Sequence, residues 1–482
     1  MPPMSQKVSQ KQKRDNNKIR KSLNKRKKKV SKKKTRSQRP KRNLFAGRHF
    51  YTVETFIRWL HLFLSDLIDK KIKPKRKQAA FPNKGLLIAL ILRVVLCVRH
   101  LSRFTEYLES NTRISQAFGF RKALQNTKPL SELLLKLAFP IAKWLFLQII
   151  LEARAHGLVF GKSVAIDCCF LHVYGKTYEQ AKRGYSGQMK RKMNGYKLWV
   201  AFSVESQMPL SFHLDSGNVG DISYFKRCVG QAKYVLGEGQ LKRVIADRGF
   251  CSRELYFWLD RVMHLVFVFR AKAGSTSRYI QDAVDALCPA DYRRMNHLEK
   301  YAKTTVTGFH QQKLRLFVGK HRKFPKGMLL ITNDFSLEYR TLKNIYLSRW
   351  SVESYFAVEK KSLLLGHFSS TKWKRVFAEV TISLIASLLL RIFRLLLGRR
   401  YRNYGENELV ERIIMHGFDC DIDRLLMKSY CRGRPIVAVL QRLINYLDDW
   451  DKMKKHERFK GFRPAGFRKE LFLLPDISVI QA

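Results

Sequence analysis

A mixed α/β fold, one sheet flanked by helices, is the architecture this sequence predicts. Three observations carry that prediction. At about residue 160 the pattern changes from long helical stretches to apolar, β-prone runs. Three such runs then follow in a row, and strand and helix patterns alternate after them, which is the signature of a mixed sheet covered by helices. Finally, 482 residues at 45% hydrophobic content suffice for two or three domains with real cores.

The elements follow in order. Residues 1–43 are basic and of low complexity, with 19 Lys+Arg and one acid, and are expected to be a disordered tail. Residues 44–155 read as helices, among them "NKGLLIALILRVVLCVRHL", "SRFTEYLES" and "PLSELLLKLAFPIAKWLFLQIILEA", with Ser102 and Ser131 as N-cap candidates. Its pair of short helices around "RISQAFGF" suits DNA-end recognition or, equally, a packing or dimerisation module. "SVAIDCCFLHV" is a strand, and "KLWVAFSVES" and "PLSFHLDSG" form a hairpin. Then come a helix over "ISYFKRCVGQAKYVL", a strand over "RVIADRGF", a helix over "SRELYFWLDRVM" and a strand over "LVFVFRA". "KLRLFVGK" and "MLLITND" add two short strands. "YLSRWSVESYFAVEKK" is a helix, and residues 396–482 close the chain as a helical, basic region.

The charge points to the partner. The net charge is +56, of which the tail contributes +18, so +38 remains on the body of the chain. A basic body and a basic tail both call for a polyanion, with nucleic acid far ahead of a membrane surface. The most apolar runs, "GLLIALILRVVLCV" and "VTISLIASLLL", are shorter than a membrane span needs and fit buried helices. The N-terminus lacks the apolar stretch of a signal peptide. The eight cysteines contain no C-x-x-C pair, so reduced thiols in a cytoplasmic protein are expected.

Three carboxylates stand out. Asp167 lies in the middle of an apolar strand, where a charge is costly unless compensated. It is either a functional acid or one satisfied by backbone groups or an arginine. Asp247 closes a second apolar strand and is followed by Gly249, a common way to deliver a side chain to the carboxyl edge of a sheet. Glu353 sits on the helix that starts the "YLSRW" segment. At 100° per residue Tyr346, Arg349, Glu353 and Lys360 share a sector roughly 60° wide. That face is either a surface with an Arg349–Glu353 pair or a metal-holding carboxylate with two phosphate-binding cations beside it.

The spacing Y-x2-R-x3-E-x6-K behind two aspartate strands resembles the YREK signature of bacterial insertion-sequence transposases with a DDE domain. The resemblance spans roughly residues 160–395 and includes "RGYSGQMKRKMNGYKLWVAF…SGNVGD". It implies an RNase H-like catalytic domain at 156–395 with a β-rich insertion at about 272–327. Asp167, Asp247 and Glu353 become the catalytic, metal-binding acids for two Mg²⁺ ions, with Mn²⁺ able to substitute. Tyr346, Arg349, Lys360 and Trp350 become the DNA- and phosphate-binding residues, Trp350 being alternatively a core residue. The implied activity is cleavage and strand transfer of element ends. The implied partners are double-stranded DNA (terminal inverted repeats and target) and a second copy of the chain on that DNA, in a nucleoid-associated, cytoplasmic setting without a membrane. A decayed, DNA-holding relative and a structure-selective nuclease on the same fold are the competing functions.

Overall fold

The computed structural model describes residues 56–61, 63–64 and 80–396, apart from 138, 176, 188, 322 and 323. The basic tail 1–43 and the region 397–482 lie outside the described residues.

The amino-terminal part is helical: α1 (Asn83–Val95), α2 (Leu101–Ser110), α3 (Thr112–Ala117), α4 (Lys128–Lys136) and α5 (Phe139–Ala155). The apolar run of α1 is buried on nearly every side, as a run without a polar face must be. Ser102 and Ser131 do not cap their helices. The chain enters α2 from His100 and α4 from Thr127, a few residues earlier, and neither cap makes a side-chain hydrogen bond.

The sheet begins with β1 (Ser163–His172), β2 (Lys182–Ser186), β3 (Arg191–Ser203) and β4 (Pro209–Ser216). Helix α6 (Phe225–Leu236), β5 (Arg243–Ala246), the short α7 (Arg253–Phe257) and β6 (Val266–Arg270) follow. The β3–β4 hairpin is as the sequence predicts, but β3 starts six residues before "KLWVAFSVES", because its polar first half pairs with β2. Strands β1, β3 and β4 are antiparallel, whereas β5 runs parallel to β1 and β6 parallel to β5. The order β4-β3-β1-β5-β6 is that of an RNase H-like sheet.

Helix α8 (Arg278–Asp285) and strands β7 (Arg293–Arg294), β8 (Glu299–Thr307), β9 (Lys313–His321) and β10 (Phe324–Thr332) come next. Strand β10 pairs antiparallel with β6, so these strands extend the same ten-stranded sheet. Strand β8, "EKYAKTTVT", is invisible to an apolar-run search, because only every third or fourth of its side chains is buried.

Helices α9 (Tyr339–Leu347), α10 (Trp350–Ser362) and α11 (Trp373–Leu396) complete the described chain. By length and composition the stretch Trp373–Phe393 of α11 could cross a membrane, but here it is the core helix, buried from Val376 onward. It packs against α1, α4, α5 and β4. One continuous hydrophobic cluster therefore joins the amino-terminal helices, α11 and the sheet.

Candidate active site

Strand register brings the two aspartates together. Strands β1 and β5 are parallel neighbours with Ile166 opposite Ala246, so Asp167 and Asp247 occupy the next, adjacent positions at the carboxyl end of β5. Here a parallel sheet splays apart and side chains open into a crevice. β1 continues past this point along β3, which explains why Asp167 sits mid-strand and not at a strand end.

The third acid arrives differently from the prediction. The segment "YLSRWSVESYFAVEKK" is two helices, not one. Ser348 Oγ donates to the Ile345 carbonyl, and the backbone N–H groups of Arg349, Ser351 and Val352 reach back three residues. These tightened turns separate α9 from α10 and place Arg349 at the joint. Tyr346 and Arg349 therefore do not ride on one regular face with Glu353 and Lys360.

Tyr346 is buried in a small core with Ile245, Val268 and Leu342. Its hydroxyl donates to Asp247 Oδ1 at 3.0 Å. Burial, and then the Asp247 charge, push its phenol up to about 12. Arg349 is buried as well. Its Nη1 donates to Asp167 Oδ2 at 3.1 Å and its Nη2 to Glu353 Oε1 at 2.5 Å, with the guanidinium 5.5 Å from the Tyr346 ring. Burial opposes its charge, but Tyr346, Asp167 and Glu353 outweigh that and hold it firmly protonated. Asp167 is the strained partner. Burial pushes its carboxyl up to about 7, against the pull of Arg349 and of the Cys168 N–H, which donates to Asp167 Oδ1 at 2.8 Å. The nearby Glu353 and Asp247 charges add to the rise. Glu353 itself is half-exposed, with 50% of its side chain in contact with solvent.

Lys360 reaches the sheet, its ammonium donating to the Phe170 carbonyl on β1 at 3.1 Å. Trp350 is 61% exposed at the start of α10, whereas Tyr355 and Phe356 are core. The two thiols after Asp167 are held protonated. Burial pushes Cys169 up to about 12, and burial, then Asp221 and Asp167, holds Cys168 well above the usual thiol range.

A fourth acid, Asp221, borders the site and was not singled out from the sequence. Its Oδ1 accepts from Lys197 Nζ at 2.8 Å and from Cys168 Sγ at 3.3 Å, while the Trp199 indole donates to its backbone carbonyl. Gly249 lies directly against it. The backbone there is not left-handed, but a Cβ would stand 2.7 Å from Asp221 Oδ2. The only sequence signal was the tight "SGNVGD" turn that carries it.

The donor chemistry of Asp167, Asp247 and Glu353, oxygen alone, suits a hard divalent cation. Among the described residues, however, no three His, Cys, Asp or Glu side chains stand close enough to share one ion. Arg349 occupies the place between Asp167 and Glu353 and supplies the positive charge there.

An RNase H-like sheet with acids side by side at its carboxyl edge defines the class of domain. Residues 161–389 match the family model described as a transposase DDE domain, which supports a DDE transposase, a class that generally uses divalent metal ions. Among solved structures the chain is similar to a piggyBac transposase synaptic complex with hairpin DNA, at 14% identity and a TM-score of 0.43, over 91% of this chain and 90% of that one. No curated protein matches the sequence.

Proposed function

We propose that this chain is an insertion-sequence transposase of the bacterial YREK type, cutting and rejoining DNA at the terminal inverted repeats of its element. The observation that carries the reading is the β1–β5 register, which sets Asp167 beside Asp247, together with the Arg349 link from Asp167 to Glu353. Acids 80 and 106 residues apart in sequence are gathered at one sheet edge, the placement a shared catalytic role needs. Asp167, Asp247 and Glu353 would hold two Mg²⁺ ions, or Mn²⁺ in their place, which when bound activate the attacking oxygen and stabilise the leaving one.

The chain's own residues prepare that state. Arg349 neutralises Asp167 and Glu353, and its guanidinium would be the group that faces phosphate. Tyr346 fixes the orientation of Asp247. Lys360 lies on the same side of β1 and supplies a second phosphate contact. Trp350, exposed at the mouth of α10, offers a ring on which an unpaired base can stack. Residues 44–155 are assigned to end recognition, and two copies of the chain act together on paired ends.

The test is substitution of each acid. Asp167→Asn, Asp247→Asn and Glu353→Gln should each abolish cleavage of element ends in Mg²⁺ while leaving DNA binding largely intact, because affinity comes from the many Lys and Arg. Cleavage above background by any one of them removes that residue from the site. Full DNA binding by a wild-type protein that never cuts would favour a repurposed DNA-holding relative.

A further inference from the structure

Away from the acids, the β2–β3 hairpin carries Lys182, Arg183, Lys190, Arg191 and Lys192 and no acid. All five are exposed, and none makes an ion pair among the described residues. Among the described residues strand β2 pairs with β3 alone, and its other edge carries no strand. Two more facts turn this from a charged edge into a surface with a direction. First, pleat alternation fixes which side chains share the face of Asp167. Asp167 lies opposite Val200, and steps of two along β3 lead through Leu198, Tyr196 and Asn194 to Lys192. Opposite Asn194 and Lys192 stand Arg183 and Tyr185. Second, Tyr185 is 63% exposed on that face, an aromatic ring between two cations. A ring flanked by cations is what a sugar–phosphate backbone and its bases engage.

Edge strands often carry lysine simply to prevent strand pairing with another molecule. That purpose explains one or two charges. It does not explain an exposed tyrosine, or a run of five cations without one acid.

We propose that the Arg183–Tyr185–Lys192 face of this hairpin is a duplex-DNA contact that continues the track of the DNA lying across the three acids. The proposal rests on the DNA-cutting reading above. Lys192 is eight residues from Val200, and at about 3.3 Å per residue the two are roughly 26 Å apart along the strand. At about 3.4 Å per base pair, the hairpin touches the backbone roughly eight base pairs from the phosphate at the acids.

The experiment uses the full chain and a mixed-sequence duplex several helical turns long. Tyr185 is replaced by the photocrosslinker p-benzoylphenylalanine. In a control, Tyr234 is replaced instead. It is equally exposed, at 62%, but sits on α6, which packs on the opposite face of the sheet through Cys228 and Ser211. Irradiation should give a covalent DNA adduct at Tyr185 and little or none at Tyr234. Alongside, the double variant Arg183→Gln/Lys192→Gln, checked for an unchanged circular dichroism spectrum, should make the salt dependence of duplex binding shallower by up to about 1.8 in log–log slope, near 0.9 for each phosphate that is no longer neutralised. Adducts of equal yield at both tyrosines, or an unchanged slope in the folded variant, overturn the hairpin contact. Stronger crosslinking of Tyr185 to a single-stranded RNA of the same length than to the duplex overturns it also. If the wild-type protein binds no duplex at all, it is the DNA-cutting reading that fails.

Discussion

Replacing Arg349 by methionine tests the electrostatics of the site without opening a hole where the side chain lies buried. A fixed-charge view holds that removing one member of a buried ion pair costs about 3–5 kcal/mol. The structure predicts much less at neutral pH. Asp167 already has its carboxyl raised from 3.8 to about 7, so near pH 7 its charged and neutral forms are almost equal in free energy. Once Arg349 is gone, Asp167 takes up a proton, and the loss through it is under about 1 kcal/mol at pH 7. Glu353 adds at most about 1 kcal/mol, since it is half-exposed and screened by water. The pH dependence is the sharper signature. A carboxyl raised on folding makes the folded chain bind a proton that the unfolded chain releases, so stability falls as pH rises from about 4 towards its folded value. In the wild type that decline ends near pH 7. In Arg349→Met the carboxyl moves higher, the decline continues, and the variant falls behind by about 1.4 kcal/mol for each further pH unit. Urea unfolding of both proteins at pH 6, 7, 8 and 9, with a chelator present, measures this directly. A gap of 3 kcal/mol or more that is the same at every pH would show Asp167 locked in its charged form. No gap at any pH would reduce the contact to a surface pair. Either result refutes the reasoning.

Three further outcomes are expected. His213, half-buried beside Lys143 and stacked on Tyr224, has its imidazole lowered to about 3 by burial, then by Lys143 and Arg227. The folded chain keeps it neutral while the unfolded chain protonates below about 6.5, so acidification to pH 5 costs about 2 kcal/mol through this group, and a folded His213→Gln variant should lose that share of the acid slope in urea titrations. Trp350→Ala should change stability by no more than about 0.5 kcal/mol, because the ring is exposed, while nicking continues and any step needing a stacked, unpaired base slows; a large drop in melting temperature would return Trp350 to the core. Deleting residues 1–43 should weaken binding to element ends and to random DNA by similar factors, with a shallower salt slope and unimpaired cleavage at saturating protein; a loss confined to end DNA would make the tail a specificity element.

What the sequence by itself determined is the part written in local pattern. An apolar strand interrupted by Asp167, a strand closed by Asp247 before a glycine, and a carboxylate–cation helix are all properties of short windows. They were enough to single out the three acids, Tyr346 and Arg349 as candidates, and to predict the mixed sheet between helices. Only the tertiary structure decided what these residues touch. The helix break at Ser348–Arg349 has no proline or glycine to announce it; it follows from a serine bonding its own turn and from the joint that seats Arg349 between Asp167 and Glu353. Strands β2 and β8 were missed because polar edge and insertion strands get their stability from a partner strand and not from an apolar run. Asp221 was missed for the same kind of reason. Its contacts with Lys197, Cys168 and the space over Gly249 join residues 24, 53 and 28 positions away, and such a meeting depends on register, which no local window contains.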